Sequence, residues 1–278
     1  AHAAGAMTWS RRSRKLLNVG AADGAGRDPL WPLVAQNYTG GWVEADPKHL
    51  DALRKNLGPE EGRRIIHLRA SPHNVAEILL QAGLPVHQAA GSQPSLDILK
   101  VDIDSYDCDV VAALMSEGIA PKLVMMEVNW NVPPPLRYAR HFDEDYMPKG
   151  RITTVVPFYG CSLSYCVHMM RSFGYDLLQM DHSDAIFIHD ELSRWLANGS
   201  GIVKIAGVGV TSCQARPPLD EFDVFHTREN LILSMPVEWV REWFYDLRPH
   251  AALRMLWRNL TAWGHQFGLH HVPFTLDL

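Results

Sequence analysis

No apolar run in this sequence approaches the roughly 20 residues that a bilayer-spanning helix needs, because Asp, Arg, Gly or Pro soon breaks every hydrophobic stretch. Basic residues are not in excess either. With 26 Lys and Arg against 31 Asp and Glu, the formal charge is -5, which gives no electrostatic footprint for a nucleic-acid backbone. The four cysteines, Cys108, Cys161, Cys166 and Cys213, lack CxxC spacing and the density of a small secreted domain. Buried or free thiols in a reducing compartment are therefore expected rather than a disulfide framework. The 14 histidines form no HExxH or comparable ligand spacing, so His141, His168 and His182 stand only as individual candidates. There is no internal repeat and no low-complexity tract. Three glycosylation-like triplets begin at Asn37, Asn198 and Asn259, a pattern that short sequences produce often by chance.

Against these absences stands a chain of 278 residues, 47% of them apolar, enough for a substantial core. After a basic, acid-free opening at residues 1–15, read as a flexible segment or transit-peptide remnant, short β-rich runs alternate with longer amphipathic segments. That alternation predicts a doubly wound α/β sheet, mostly parallel, with helices on both faces. Strands are expected at Leu16–Gly20, Gly41–Glu44, Ile65–Leu68, Leu96–Asp102 and Lys122–Glu127, with helices starting near Pro29, Pro47, Pro72 and Asp107. The prolines of Pro133-Pro134-Pro135 open a long loop reaching about Gly160. A helix over Ser162–Phe173, stopped by Gly174, then leads to a hairpin of Tyr175–Met180 and Ala185–His189, which completes seven strands. The sheet domain thus spans residues 16–192, a linker or loop with one edge strand spans 193–218, and a Trp-rich helical extension spans 219–278.

The chemistry concentrates at strand ends. Gly20-Ala21-Ala22-Asp23-Gly24-Ala25-Gly26 follows the first strand, and its glycines permit a tight turn with backbone donors close to a ligand. The spacing is not the GxGxxG that seats a dinucleotide pyrophosphate, so a nicotinamide or flavin enzyme is the weaker reading. Glu44 ends the second strand, where a carboxylate can accept hydrogen bonds from both hydroxyls of a ribose. Asp46 and Pro47 then fit the cap and first turn of the next helix.

Asn18-Val19-Gly20-Ala21-Ala22-Asp23-Gly24, Asp28-Pro29-Leu30, Gly41-Trp42-Val43-Glu44-Ala45-Asp46-Pro47, Leu96 to Asp107 and Glu127-Val128-Asn129 resemble the landmarks of FkbM-type S-adenosylmethionine-dependent methyltransferases. The resemblance covers about Leu16 to Leu192. It implies a Rossmann-like methyltransferase sheet with a C-terminal appendage. It further implies that Gly20, Ala21, Asp23 and Gly24 wrap the amino-acid part of the cofactor, that Glu44 and its neighbour Ala45 hold the ribose, that Ala70 and Ser71 flank the adenine, and that Asp102 faces the cofactor. Asn18 stands where many such enzymes have an acid, and Asp104-Ser105 where the family has Glu-Gly.

Methyl transfer to a hydroxyl needs alignment of donor and nucleophile and a group that takes the proton. Asp102, Asp104 and Asp107 after the fourth strand, with Glu127 and Asn129 after the fifth, are expected to converge at the carboxyl edge of the sheet. Asp104 and Asp107 are the catalytic candidates, and Asp104, Glu127 and Asn129 offer oxygens suited to Mg²⁺. Asp104 or Ser105 serves equally well as a helix cap. The acceptor implied is a small molecule or sugar, methylated on oxygen. A catalytically inactive structural subunit is the rival, with a protein partner on the C-terminal extension.

Overall fold

The computed structural model describes residues 13–26, 28–59, 62–84, 96–130, 132, 134–144, 159–181, 183–198, 203–205, 208–210, 250, 253–254, 256–258, 260–261 and 274–277. In chain order the elements are β1 (Lys15–Val19), α1 (Trp31–Val34), β2 (Thr39–Glu44), α2 (Pro47–Leu57), β3 (Arg63–His67), α3 (Val75–Ala82), β4 (Ile98–Val101), α4 (Asp107–Ser116) and β5 (Leu123–Glu127). They continue with β6 (Arg137–Arg140), α5 (Leu163–Ser172), β7 (Tyr175–Asp181), β8 (Asp184–His189), α6 (Asp190–Asn198), β9 (Val203–Ile205), β10 (Val208–Val210) and β11 (Phe274–Asp277).

Seven strands form one sheet in the order β3-β2-β1-β4-β5-β8-β7. β1 pairs in parallel with β2 on one side and β4 on the other. The strand order therefore reverses at β1, the topological switch point where open α/β sheets bind ligands beyond the carboxyl ends of their strands. β8 runs the other way: Val128 N–H donates to Ser183 O, while His189 N–H donates to Lys122 O, the crossed pattern of an antiparallel pair. The expected doubly wound, mostly parallel seven-stranded sheet is what the chain forms.

Burial explains the strand sequences. Leu16, Leu17, Val19, Trp42, Val43, Leu99 and Val101 are all essentially inaccessible, so β1, β2 and β4 are covered on both faces and read as continuous apolar runs rather than alternating ones. α2 begins as expected, with the Asp46 carboxylate accepting from Lys48 N–H and Pro47 in the first turn. α5 is capped by Ser162, whose hydroxyl accepts from Tyr165 N–H at 3.3 Å, and Gly174 follows its end at φ 81°.

The chain divides into two compact units, one of Ala1–Asp102, Val110–Met125 and Ile188–Ala215, the other of Ile103–Asp109, Met126–Phe187 and Arg216–Leu278. The first carries β1 to β4 with α1 to α3; the second carries β6, α5, β7 and β11. Four expectations need correction. The loop expected from the prolines to Gly160 contains β6, and the extension read as helical ends in β11, which pairs antiparallel with β6. The stretch after Leu192 continues α6 and then holds a two-stranded ladder of β9 and β10 rather than one edge strand. Cys108 and Cys161 are joined by a disulfide, with Cys166 buried beside them, its Sγ 3.5 Å from that of Cys161. Buried thiols were expected, but the pairing of two of them was not. Cys213 and His182 lie outside the described residues, as does most of the Trp-rich segment. Among the described residues no helix is long and apolar enough to cross a membrane.

Candidate functional site

The first unit places its chemistry at the carboxyl ends of β1 and β2. Gly20 N–H and Ala21 N–H both donate to Val43 O at 3.0 Å, and Gly24 N–H returns to Ala21 O at 2.8 Å, so the turn closes tightly against β2. Gly20 adopts φ 82° and Gly24 φ 69°, conformations that suit glycine. A Cβ on Gly24 would also stand 2.5 Å from Leu53 Cδ1, so that glycine additionally lets α2 approach. Asp23 caps the turn from within: its Oδ1 accepts from Gly26 N–H at 2.8 Å and Ala25 N–H at 3.0 Å. Those two amides, Gly26 foremost, hold its carboxyl below the ordinary value.

Glu44 joins the end of β2 to this turn. It is 8% exposed, and its Oε2 accepts from Ala22 N–H at 2.7 Å while Oε1 accepts from Asp46 N–H at 2.6 Å. A carboxylate offers about four acceptor positions, so two backbone bonds leave capacity for a ligand's hydroxyls. Ala45 is exposed, and its carbonyl lies 3.2 Å from His67 Nε2. After β3, Ala70 is buried and Ser71 half-buried; the Asn74 side chain clamps this turn by accepting from Ser71 N–H and donating to Arg69 O, both at 2.8 Å.

Two further groups of the same unit were missed or undervalued in the sequence. Lys100, 3% exposed inside β4, points its Nζ 3.0 Å from Asp102 Oδ2 and 3.5 Å from the Gly20 carbonyl. A lysine among Ile98, Leu99 and Val101 was the available signal, because a charge in a strand buried on both faces must have a partner. Asn18 is fully buried; its amide donates to Asp28 Oδ2, and its Oδ1 has no hydrogen-bond partner among the described residues. Such an orphaned acceptor is suited to an ordered water or a ligand's donor.

The second unit holds the carboxylate candidates Asp104, Asp107 and Glu127 and the amide Asn129. Asp107 is fully buried, and its two oxygens accept from Ile103 N–H at 2.7 Å and Ser105 N–H at 3.0 Å. The turn is thus locked by Asp107, the role the sequence left open to Asp104 or Ser105. Asp104 is exposed at φ 55°, and a carboxylate oxygen of it lies within 4.8 Å of one of Glu127. Asn129 is fully buried, with its amide donating to Tyr159 O at 2.9 Å. Tyr159 is a group the sequence did not suggest: burial first, then the Glu127 charge, pushes its phenol well above the ordinary range.

The sequence matches no family model, and no curated protein matches it. Solved structures resemble it only remotely. The fibrillarin pre-rRNA processing protein of Methanococcus jannaschii is 13% identical over 63% of this chain and 66% of that one, with a TM-score of 0.38. A S-adenosylmethionine-dependent methyltransferase from Aquifex aeolicus is 9% identical over 64% of this chain and 82% of that one, with a TM-score of 0.34. LepI in complex with S-adenosylmethionine is 12% identical over 66% of this chain and 45% of that one, with a TM-score of 0.36. Likenesses of this order carry no argument about function, and the fold rests on the sheet itself.

Proposed function

We propose that the chain is an S-adenosylmethionine-dependent methyltransferase of FkbM-like type that acts on a hydroxyl oxygen of a small molecule or sugar. The observation that supports this most is Glu44, a buried carboxylate at the end of β2, hydrogen-bonded to the glycine turn at the switch point of the sheet. An acid there suits the two hydroxyls of a ribose, and the glycine spacing disfavours a dinucleotide. The residues fit the cofactor on three counts: spare acceptor capacity on Glu44, the orphaned Asn18 Oδ1, and a turn whose glycines keep side chains away from its backbone.

When bound, the cofactor would supply an electrophilic methyl group on a positively charged sulfur. In this reading Gly20, Ala21, Asp23 and Gly24 receive the amino-acid part, Glu44 and Ala45 the ribose, and Ala70 and Ser71 the adenine. Lys100 neutralises Asp102 and steadies the Gly20 carbonyl, so it positions both. Asp104 takes the proton of the acceptor hydroxyl, and Asp107 orders the turn that presents it. Asp104 and Glu127 are also where Mg²⁺ would bind, since that ion is satisfied by one or two carboxylates and water. Loss of turnover in EDTA, restored by Mg²⁺, would assign it. A buried disulfide persists where thiols are oxidised, which favours such a compartment over the reducing one expected from cysteine spacing.

Calorimetric titration with S-adenosylmethionine, S-adenosylhomocysteine and NADH tests the reading. Micromolar binding of the first two alone supports it; binding of none makes the inactive structural subunit the better account. Glu44→Gln keeps the shape but removes the charge, so it is expected to weaken S-adenosylmethionine binding by about tenfold or more, the worth of a hydrogen bond to a charged group. Unchanged affinity removes Glu44 from the site. Asp104→Asn is expected to lower kcat about a hundredfold while leaving cofactor affinity unaltered; an undiminished kcat shifts the proton acceptor elsewhere.

A further inference from the structure

The second unit contains a hydroxyl, an imidazole and a carboxylate in line, assembled from three distant parts of the chain. β11 pairs with β6 so that Thr275 lies opposite Ala139, and His141, two residues beyond Ala139, shares that face of the ladder. The small Ala139 side chain leaves the diagonal open. Thr275 Oγ1 comes 2.7 Å from His141 Nε2, and His141 Nδ1 lies 3.1 Å from Oδ1 of Asp109, in the first turn of α4.

The direction of these bonds follows from the carboxylate. Ionised Asp109 can only accept; its Oδ2 takes Phe142 N–H at 2.7 Å, and its Oδ1 takes the proton on Nδ1 of His141. In the neutral ring Nε2 is then the lone pair, and the Thr275 hydroxyl must donate to it. Asp109 thus fixes the tautomer, and His141 stands as a base against one hydroxyl. The hydrogen bond to Asp109 also holds the imidazole above its ordinary pKa, which makes Nε2 a stronger proton acceptor. His141 and Thr275 are only half-buried, so the hydroxyl is not sealed within the core.

We propose that Thr275, His141 and Asp109 form an acyl-transfer site in which the Thr275 hydroxyl is the nucleophile, His141 its general base and Asp109 the group that orients the base. The site takes an activated ester or thioester. Thr275 Oγ bonds to the carbonyl carbon as its proton passes to His141 Nε2. The bond from that carbon to the leaving alkoxide or thiolate then breaks, and His141 returns the proton to the leaving group. The product is an acyl ester on Thr275, which water can hydrolyse by the same route. This site is independent of the methyltransferase reading.

The test uses the whole chain and p-nitrophenyl acetate. The expected result is a burst of nitrophenolate with one acetyl group found by mass spectrometry on Thr275. Thr275→Ser should keep the burst, whereas Thr275→Val, of nearly the same shape, should abolish it. His141→Gln should slow acylation about a hundredfold or more, the usual worth of a general base. Absence of a burst in the native chain, an acetyl group found only elsewhere, or a burst that survives Thr275→Val would each overturn the proposal. Matching thermal unfolding of the two Thr275 variants separates lost chemistry from lost folding.

Discussion

Breaking the Cys108–Cys161 bond is expected to cost about 4 kcal/mol of stability, because a cross-link closing a loop of this size removes a large share of the unfolded chain's freedom. The two cysteines are 53 residues apart and buried, Cys108 in the first turn of α4 and Cys161 in an isolated bridge with both Val128 and Ala139. Against a typical domain stability of about 5–15 kcal/mol that loss is large. Cys108→Ala should therefore show a urea midpoint well below that of the native chain, and a reducing agent should lower the native midpoint similarly. Alkylation of the denatured, unreduced chain gives the direct check. If Cys108 and Cys161 are both modified, they are not bonded and the expected loss disappears.

A comparable effect is expected from Gly40→Ala. Gly40 faces Leu16 across the β1–β2 ladder, at φ 130°, and a Cβ built there would stand 2.0 Å from the Leu16 carbonyl oxygen. The obstacle is backbone in the middle of the sheet, so no side-chain rotation relieves it. Overpacking and backbone strain together suggest about 3 to 5 kcal/mol. Gly58→Ala is the control: its φ is also positive, at 71°, but among the described residues nothing lies within 4 Å of the added carbon. It should lose only the backbone part. Equal urea midpoints for the two variants would show that the close approach at Gly40 is not what limits the site.

The contrast between those glycines shows what was legible in the sequence. β1 and β4 announce themselves as short runs of Leu, Val and Ile ended by Gly or an acid, β2 as Trp42-Val43 closed by Glu44, and the sheet follows from their alternation with helical segments. Glu44 was readable as a strand-end carboxylate, because it closes the second strand just before a helix cap. β6 was not readable, because Arg137-Tyr138-Ala139-Arg140 follows three prolines and shows no apolar alternation; its partner β11 is far along the chain. The same distance hides Thr275 from His141 and Asp109. The disulfide was hidden likewise, since spacing in sequence says nothing about which sulfurs the fold brings together. The hold of Asp107 on its turn was hidden for another reason: a carboxylate at a helix start looks equally like a catalyst and a clamp until its backbone partners are seen.

The pairing of β6 with β11 has a consequence for how the protein is made. A ribosome adds about 5–20 residues each second, so β6 waits on the order of ten seconds for its partner strand to be synthesised. The ladder from β3 through β2 and β1 to β4 needs nothing beyond Val101 and can assemble while elongation continues. Through that interval β6 would present an unsatisfied edge to any other strand nearby. Crowded expression should therefore aggregate nascent chains through the second unit, and faster elongation, which shortens the wait for β11, should favour the soluble product.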